Sequence, residues 1–195
     1  HNFTFMHSNE HLSSIEVSEI SHQLGITFPK NIKKVFGGNI HSCWQIESSE
    51  AKFFLKRNTR KKKFLKYEQY CLKDLHANIN KDNLIIPKII SYLEVKEVEL
   101  LLMEWIDMQN NDQKKLGKGL GEMHLKSYET SPRKFGYPIE GYIGLKPQIK
   151  GWQENWADCF VNLRIKPQIL MLKDNFLDFE IRNKINEKIK LELSK

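Results

Sequence analysis

At 195 residues, 40% of them hydrophobic and 28% charged, the chain is long enough for one good-sized domain or two small lobes, with the composition of an ordinary soluble globular protein. No apolar run approaches the ~20 residues that cross a bilayer, and no signal-peptide pattern opens the chain, which argues against a membrane partner. The formal charge of +7 raises nucleic acid as a partner, but the densest basic run, 57–63, has its aromatic neighbours Phe53, Phe54 and Phe64 on expected core faces. They are not interleaved as a stacking platform, so the run reads as a solvated loop and first helical turn.

The first dozen residues read as loosely attached. Ser13-Ser14-Ile15-Glu16 then forms a capping box, and a short helix follows with Val17, Ile20 and Leu24 on one face and Gly25 closing it. Residues 26–36 lead to the glycine pair Gly37-Gly38. Beyond it, Ser42, Trp44 and Ile46 alternate with Cys43, Gln45 and Glu47, the two-residue period of a half-buried strand. Ser48-Ser49-Glu50 supplies a turn, and Phe53-Phe54-Leu55 forms a returning strand that ends at Lys56. A glycine turn between two strands brings backbone N–H groups close to whatever lies beneath it, and the lysine adds one positive charge beside the same spot. That arrangement suits a phosphate in the manner of protein kinases, although plain turn chemistry also explains a glycine pair.

The next helix spans 61 to about 77. Phe64, Cys71, Leu72 and Leu75 share one face, and Glu68 stands in the middle of it. An inward carboxylate needs a partner, because its unpaired burial costs several kcal/mol. Lys56 is the nearest cation that a sheet can point at it. The alternative is a Glu68 that reaches solvent from the rim of the face. Polar 78–83 gives way to an extended segment from Leu84 to about Leu93. Lys96-Glu97 turns the chain, and 98–105, VELLLMEW, reads as a strand in the middle of a sheet. The expected result is a five-stranded antiparallel sheet with one helix packed on it, ending near residue 106. The three cysteines, Cys43, Cys71 and Cys159, are far apart and suggest neither a disulfide framework nor a zinc site, so a cytoplasmic setting is expected.

Residues 107–112 read as a polar hinge between two lobes, dividing the chain into 1–106 and 107–195. A helix follows to about 129, with Leu116, Leu120, Met123 and Tyr128 as its stripe. Gly117 and Gly121, one turn apart, suggest close packing against another element, and His124 reads as a hydrogen-bonded structural histidine. In 134–168, Gly136, Gly141 and Gly144 with Pro138 and Pro147 suggest a long ordered loop. Trp152, Trp156, Phe160 and Leu163 then fall at helical spacing, read as core, with a substrate cage as the alternative for the two indoles. Arg164 and Gln148 are candidates for polar contacts to a substrate or to the loop backbone. Residues 173–195 read as an amphipathic helix through Leu177, Ile181, Ile185 and Ile189.

The GGNI turn, FFLKRN, the helix around Glu68, LLMEWI, LGKGLGEMH and above all the 134–168 block resemble the fructosamine kinase (ketosamine kinase) family, a branch of the protein-kinase-like fold, over roughly 32–172. The resemblance implies an α+β protein. Its parts are a kinase-like small lobe, of a five-stranded antiparallel sheet plus one helix, and the helical start of a large lobe. It implies transfer of the γ-phosphate of ATP to a ketosamine, on a small amine or a protein lysine, in repair of glycation. Gly37 and Gly38 would line the phosphate loop, Lys56 would contact the phosphates, Glu68 would hold Lys56, and Glu104, Trp105 and Ile106 would form the adenine hinge. The family pattern continues into a His-Gly-Asp segment, a nearby Asn and a further Asp that holds magnesium. No His-Gly-Asp occurs here, so the general base and the magnesium ligands are expected beyond Lys195. The chain is then either a fragment of a full kinase or a non-catalytic nucleotide- or partner-binding relic of the fold. In either case the stripes on its C-terminal helices predict an exposed apolar patch and self-association.

Overall fold

The computed structural model describes residues 11–36, 40–108, 112–172 and 179–194. Two compact units emerge. The first comprises His1–Ala77 and Ile86–Asn111, the second Asn78–Ile85 and Asp112–Lys195.

The first unit begins with helix α1 (Ser14–Leu24). The Ser13 hydroxyl accepts from the Glu16 amide, and the Glu16 carboxylate accepts from the Ser13 amide at 2.7 Å. Two of the amides that a helix start leaves unpaired are thereby satisfied. Gly25 ends the helix at φ 65°, a left-handed conformation that glycine adopts without strain. Strands β1 (Asn31–Val35), β2 (Ser42–Glu47), β3 (Lys52–Asn58), β4 (Ile89–Val95) and β5 (Val98–Glu104) follow, with helix α2 (Phe64–Ala77) between β3 and β4. They form one antiparallel sheet in the order β1-β2-β3-β5-β4. The β4–β5 hairpin turns through Lys96 and Glu97, both at positive φ, which suits the twist of a two-residue hairpin.

Sheet parity decides what each helix meets. On β3, Leu55 joins Ile20 of α1, Trp44, Ile46, Leu100 and Leu102 in one core cluster, with Phe53 packed against it. Phe54 packs instead with Leu65 of α2, Leu101 and Met103. Strand β5 feeds both clusters alternately, which is why its sequence is nearly continuous in apolar residues: it is covered on both faces. Each such leucine withdrawn from water contributes about 1.5–3 kcal/mol. Helix α2 starts at Phe64, three residues later than the basic run suggested. The reason is Asn58, whose side-chain amide donates to the Lys62 carbonyl at 2.8 Å and accepts from the Arg60 amide at 3.1 Å. It holds the intervening segment as a turn.

In the second unit, Asp112 caps helix α3 (Gln113–Thr130) by accepting from the Lys114 and Lys115 amides. The close-packed glycine is Gly119, not Gly117 or Gly121. A Cβ at Gly119 would lie 2.7 Å from Leu84 Cβ and 2.9 Å from the Asn83 backbone, whereas the other two have open space beside them. The buried line of α3 is therefore rotated toward Gly119 and Met123, and Leu120, Tyr128 and His124 are exposed. The long loop expected after it is a nest of two short hairpins. Strand β6 (Phe135–Tyr137) pairs with β9 (Gly151–Gln153), enclosing β7 (Gly141–Ile143) and β8 (Lys146–Gln148). Trp152 thus lies on a strand, not on the helix. The four-residue spacing to Trp156 imitates a helical turn, but Asn155 caps a new helix between them, its side chain accepting from the Asp158 amide.

That helix runs as α4 (Trp156–Asp158), a π-helical segment Cys159–Ile165, and α5 (Lys166–Leu170) without a break. Pro167 accounts for the wide middle. It lacks an N–H, and its ring crowds the carbonyl four residues back, that of Leu163. The freed Leu163 carbonyl accepts from Arg164 Nη1 at 3.0 Å. Helix α6 (Phe179–Leu193) packs on this segment through Lys190 and Asp158, 2.5 Å apart. Apolar exposure is extensive here: Trp156, Leu170, Ile181 and Leu191 each keep more than a third of their surface in solvent. Leu177 lies outside the described residues. Among the described residues, no helix is long and apolar enough to cross a membrane.

Candidate nucleotide-binding site

Strand β3 carries two adjacent cations, and the alternation of a strand sends them to opposite faces. Arg57 points toward α1, where its Nε meets Glu16 Oε1 at 2.6 Å with both side chains buried. Lys56 points toward α2, where Nζ meets Glu68 Oε1, also at 2.6 Å. This second pair is only part-covered, with 27% and 28% of the side chains exposed. The Lys56–Glu68 pairing is the one the sequence suggested. Phe54 lies on the same strand face two residues earlier and packs against α2.

The surroundings of Lys56 are built from β2. Cys43 is the register partner of Lys56. Burial pushes its thiol above the usual range against the pull of the Lys56 charge, which keeps it protonated at neutral pH. His41 stacks on Phe64 with ring centroids 5.8 Å apart. Burial holds its imidazole pKa below the ordinary value; the Glu68 charge opposes this and the Lys56 charge adds to it, leaving a neutral ring at pH 7. Its Nδ1 is buried without a hydrogen-bond partner. Gly37 and Gly38, the expected phosphate loop, lie outside the described residues.

Glu104, Trp105 and Ile106 close β5. The Glu104 amide donates to the Lys88 carbonyl at 2.9 Å, and its carboxylate accepts from the Lys88 amide at 2.8 Å. The Trp105 amide donates to the Lys52 carbonyl, and its indole N–H donates to Asp107. The Trp105 ring packs against Phe54, with centroids 6.2 Å apart. Two of the three backbone donors in this segment are therefore already engaged within the sheet.

Of the two candidates for polar contacts, Arg164 meets the loop backbone. It donates to the Ile149 carbonyl at 3.0 Å, so it braces the hairpin backbone. Gln148 keeps a buried Nε2 without a hydrogen-bond partner. Sequence reasoning missed two buried carboxylates, Glu16 as a partner of Arg57 and Glu99 at the start of α2. Glu16 was already accounted for by the capping box. Glu99 was hidden by its place in an apolar strand, and the signal was there: a carboxylate second in a strand buried on both faces has to be satisfied by something specific.

The five-stranded antiparallel sheet, with a strand lysine held by a glutamate of the following helix, defines a protein-kinase-like small lobe in an α+β protein, followed by helical elements. The fructosamine kinase family pattern matches residues 13–195, and the chain belongs to that family. It is similar to the probable ketoamine kinase of Enterococcus faecium, 30% identical over 141 residues that cover 72% of this chain and 48% of that protein. The ketosamine-3-kinase of Mus musculus is 23% identical over 185 residues, covering 83% of this chain and 60% of that one. A crystal structure from Haemophilus somnus 129PT, named for a fructosamine-3-kinase, superposes with a TM-score of 0.73 at 23% identity over 92% of this chain and 60% of its own. The chain thus spans between about half and three-fifths of the length of these relatives.

Proposed function

We propose that this chain supplies the nucleotide-holding part of an ATP-dependent ketosamine kinase, a phosphotransferase acting on sugar-modified amines or protein lysines in deglycation. The observation that carries the reading is the 2.6 Å Lys56–Glu68 pair on the α2 face of β3. ATP is the phosphoryl donor in such a reaction, and magnesium would accompany it. Lys56 offers a point charge to the phosphates, and Glu68 fixes the ammonium so that little side-chain entropy is lost on binding. Gly37 and Gly38 would cover the phosphates with backbone N–H groups. The Ile106 amide would donate to an adenine edge, with Glu104 and Trp105 shaping the segment. No His-Gly-Asp segment occurs in these 195 residues, and no general base or metal ligand is proposed among them. The exposed apolar side chains of α4 to α6 support self-association of this chain in isolation, which sedimentation would read.

Titration calorimetry with magnesium and ATP tests the reading on the wild-type chain and three variants. Lys56→Ala is expected to weaken binding about tenfold or more, a loss of at least ~1.4 kcal/mol. Glu68→Ala should weaken it less, and Lys62→Ala, on the turn before α2, should leave it unchanged. Equal affinity in wild type and Lys56→Ala would remove Lys56 from the site.

A further inference from the structure

Glu99 is fully buried, and among the described residues no ion pair reaches it. Its carboxylate instead gathers four donors. Oε2 accepts from Asn58 Nδ2 at 2.5 Å and from the Leu65 amide at 3.3 Å, and Oε1 accepts from the Lys66 amide at 2.9 Å and the Tyr92 hydroxyl at 2.8 Å. Leu65 and Lys66 belong to the first turn of α2, where amides have no partner within the helix and the helix dipole favours negative charge. Within α2 the first turn contains no acidic residue. A carboxylate from a different element, two strands away in sequence, caps the helix.

The register shows what this cap is tied to. Glu99 pairs with Asn58 across β3 and β5, and the next inward-facing pair on the same face is Lys56 with Leu101. Strand β3 therefore grips α2 twice, once through Asn58 and Glu99 at the first turn and once through Lys56 and Glu68. Glu68 lies three residues beyond Leu65, about 4.5 Å along the helix axis. Lys56 and Asn58 are about 6.6–7 Å apart along the strand. Any slide or rotation of the first turn moves the Glu68 carboxylate away from a fixed Lys56 ammonium.

We infer that Glu99 is the positioning residue of the lysine clamp, setting through its cap on α2 the place of Glu68 against Lys56. The inference rests on the reading of Lys56 and Glu68 as the nucleotide clamp, but its test does not need nucleotide. Glu99→Gln preserves size and removes one acceptor oxygen, so whichever way the amide turns, at least one helix amide faces an NH2 group: Leu65 together with Asn58, or Lys66, beside which the Tyr92 hydroxyl can turn its hydrogen to Glu94. The pairing of Lys56 with Glu68 is measured by a double-mutant cycle, Lys56→Met, Glu68→Gln and both, followed as urea midpoints. In the parent chain the double variant should lose less than the two singles together. In the Glu99→Gln background this non-additivity should vanish. It should persist in Leu65→Ala, which loosens the same helical turn without touching the cap. Non-additivity of equal size with and without Glu99 overturns the proposal, as does its loss in Leu65→Ala. Should Glu99→Gln fail to fold, Glu99→Asp keeps the charge but retreats by one methylene, and at least half of the non-additivity should go. A chain in which the cycle behaves as expected while ATP titration shows no binding overturns the nucleotide reading and leaves the positioning role intact.

Discussion

Replacing Arg57 with Met isolates the carboxylate of Glu16, and the structure sets the scale of the damage. Glu16 retains 2% of its side-chain exposure and Arg57 7%, so water cannot take over from the lost guanidinium. The remaining partner of the carboxylate is the Ser13 amide at 2.7 Å. Breaking a buried pair from one side costs about 3–5 kcal/mol, against ~0–1 kcal/mol for an exposed one. At roughly 2–4 °C per kcal/mol for a chain of this size, the melting temperature should fall by about 6–20 °C. The double variant Glu16→Gln/Arg57→Met should recover most of it, since Gln still accepts from Ser13 and no charge remains buried. The pH dependence carries a sign. Burial pushes the Glu16 carboxyl up, but the Arg57 hydrogen bond and the Ser13 bonds outweigh this and hold it below the usual carboxylate range. In the parent chain the pair therefore stabilises fully above the ordinary carboxylate pKa of about 4.3, and this contribution is lost as pH falls through the lower folded value. Without Arg57, burial is opposed by the Ser13 bonds only, so the folded pKa rises and the carboxyl protonates earlier than in the parent. The gap between parent and Arg57→Met should thus be widest near neutral pH and narrow in acid. Thermal unfolding from pH 7 down to pH 3 reads both effects. A cost below about 1 kcal/mol at pH 7, or a double variant as damaged as the single, refutes a buried and uncompensated charge.

On α3, Gly117→Ala and Gly121→Ala should each stabilise by about 0.8–1.0 kcal/mol, because helix propensity improves at exposed positions with open space. Gly119→Ala should instead destabilise by about 1–2 kcal/mol, the clash with Leu84 and the Asn83 backbone exceeding the propensity gain; thermal melts of the three variants separate these outcomes. Lys190→Ala removes the ion pair with Asp158, and hydrogen exchange should quicken in α6 while α3 is unchanged.

How much of this was legible depended on whether a residue's partner lay within the reach of a local pattern. Lys56 and Glu68 are twelve positions apart, and each announces itself: the lysine by ending an apolar strand that returns from a glycine turn, the carboxylate by standing among apolar helix positions. The capping box at Ser13 and the left-handed Gly25 are local in the same sense. Glu16 with Arg57 and Asn58 with Glu99 are each separated by 41 positions. Their meeting depends on strand order and on which face α1 covers, neither of which a one-dimensional period encodes. In the second unit, Trp152 and Trp156 misled because a four-residue spacing is shared by a helix and by a strand that ends where a helix begins. Gly119 was passed over for its neighbours because the sequence marks small residues without saying which of them another segment approaches.

The parity of β3 joins these cases into one constraint. Lys56 and Arg57 are adjacent cations on a strand covered on both faces, and each is matched by a glutamate from a different helix. Shifting β3 by one residue would turn Arg57 toward Glu68 and Lys56 into the dry interface beneath α1. An exchange of that kind is not neutral, since the dry side suits a guanidinium, with its weak hydration and several donors, while the wetter side suits a compact ammonium that can meet an anion. Asn58, next on the same strand, adds a third check by meeting Glu99 only in the observed register. The polar residues at the end of β3 thus specify register as well as chemistry. The lysine reaches its place because the two residues after it can be satisfied nowhere else.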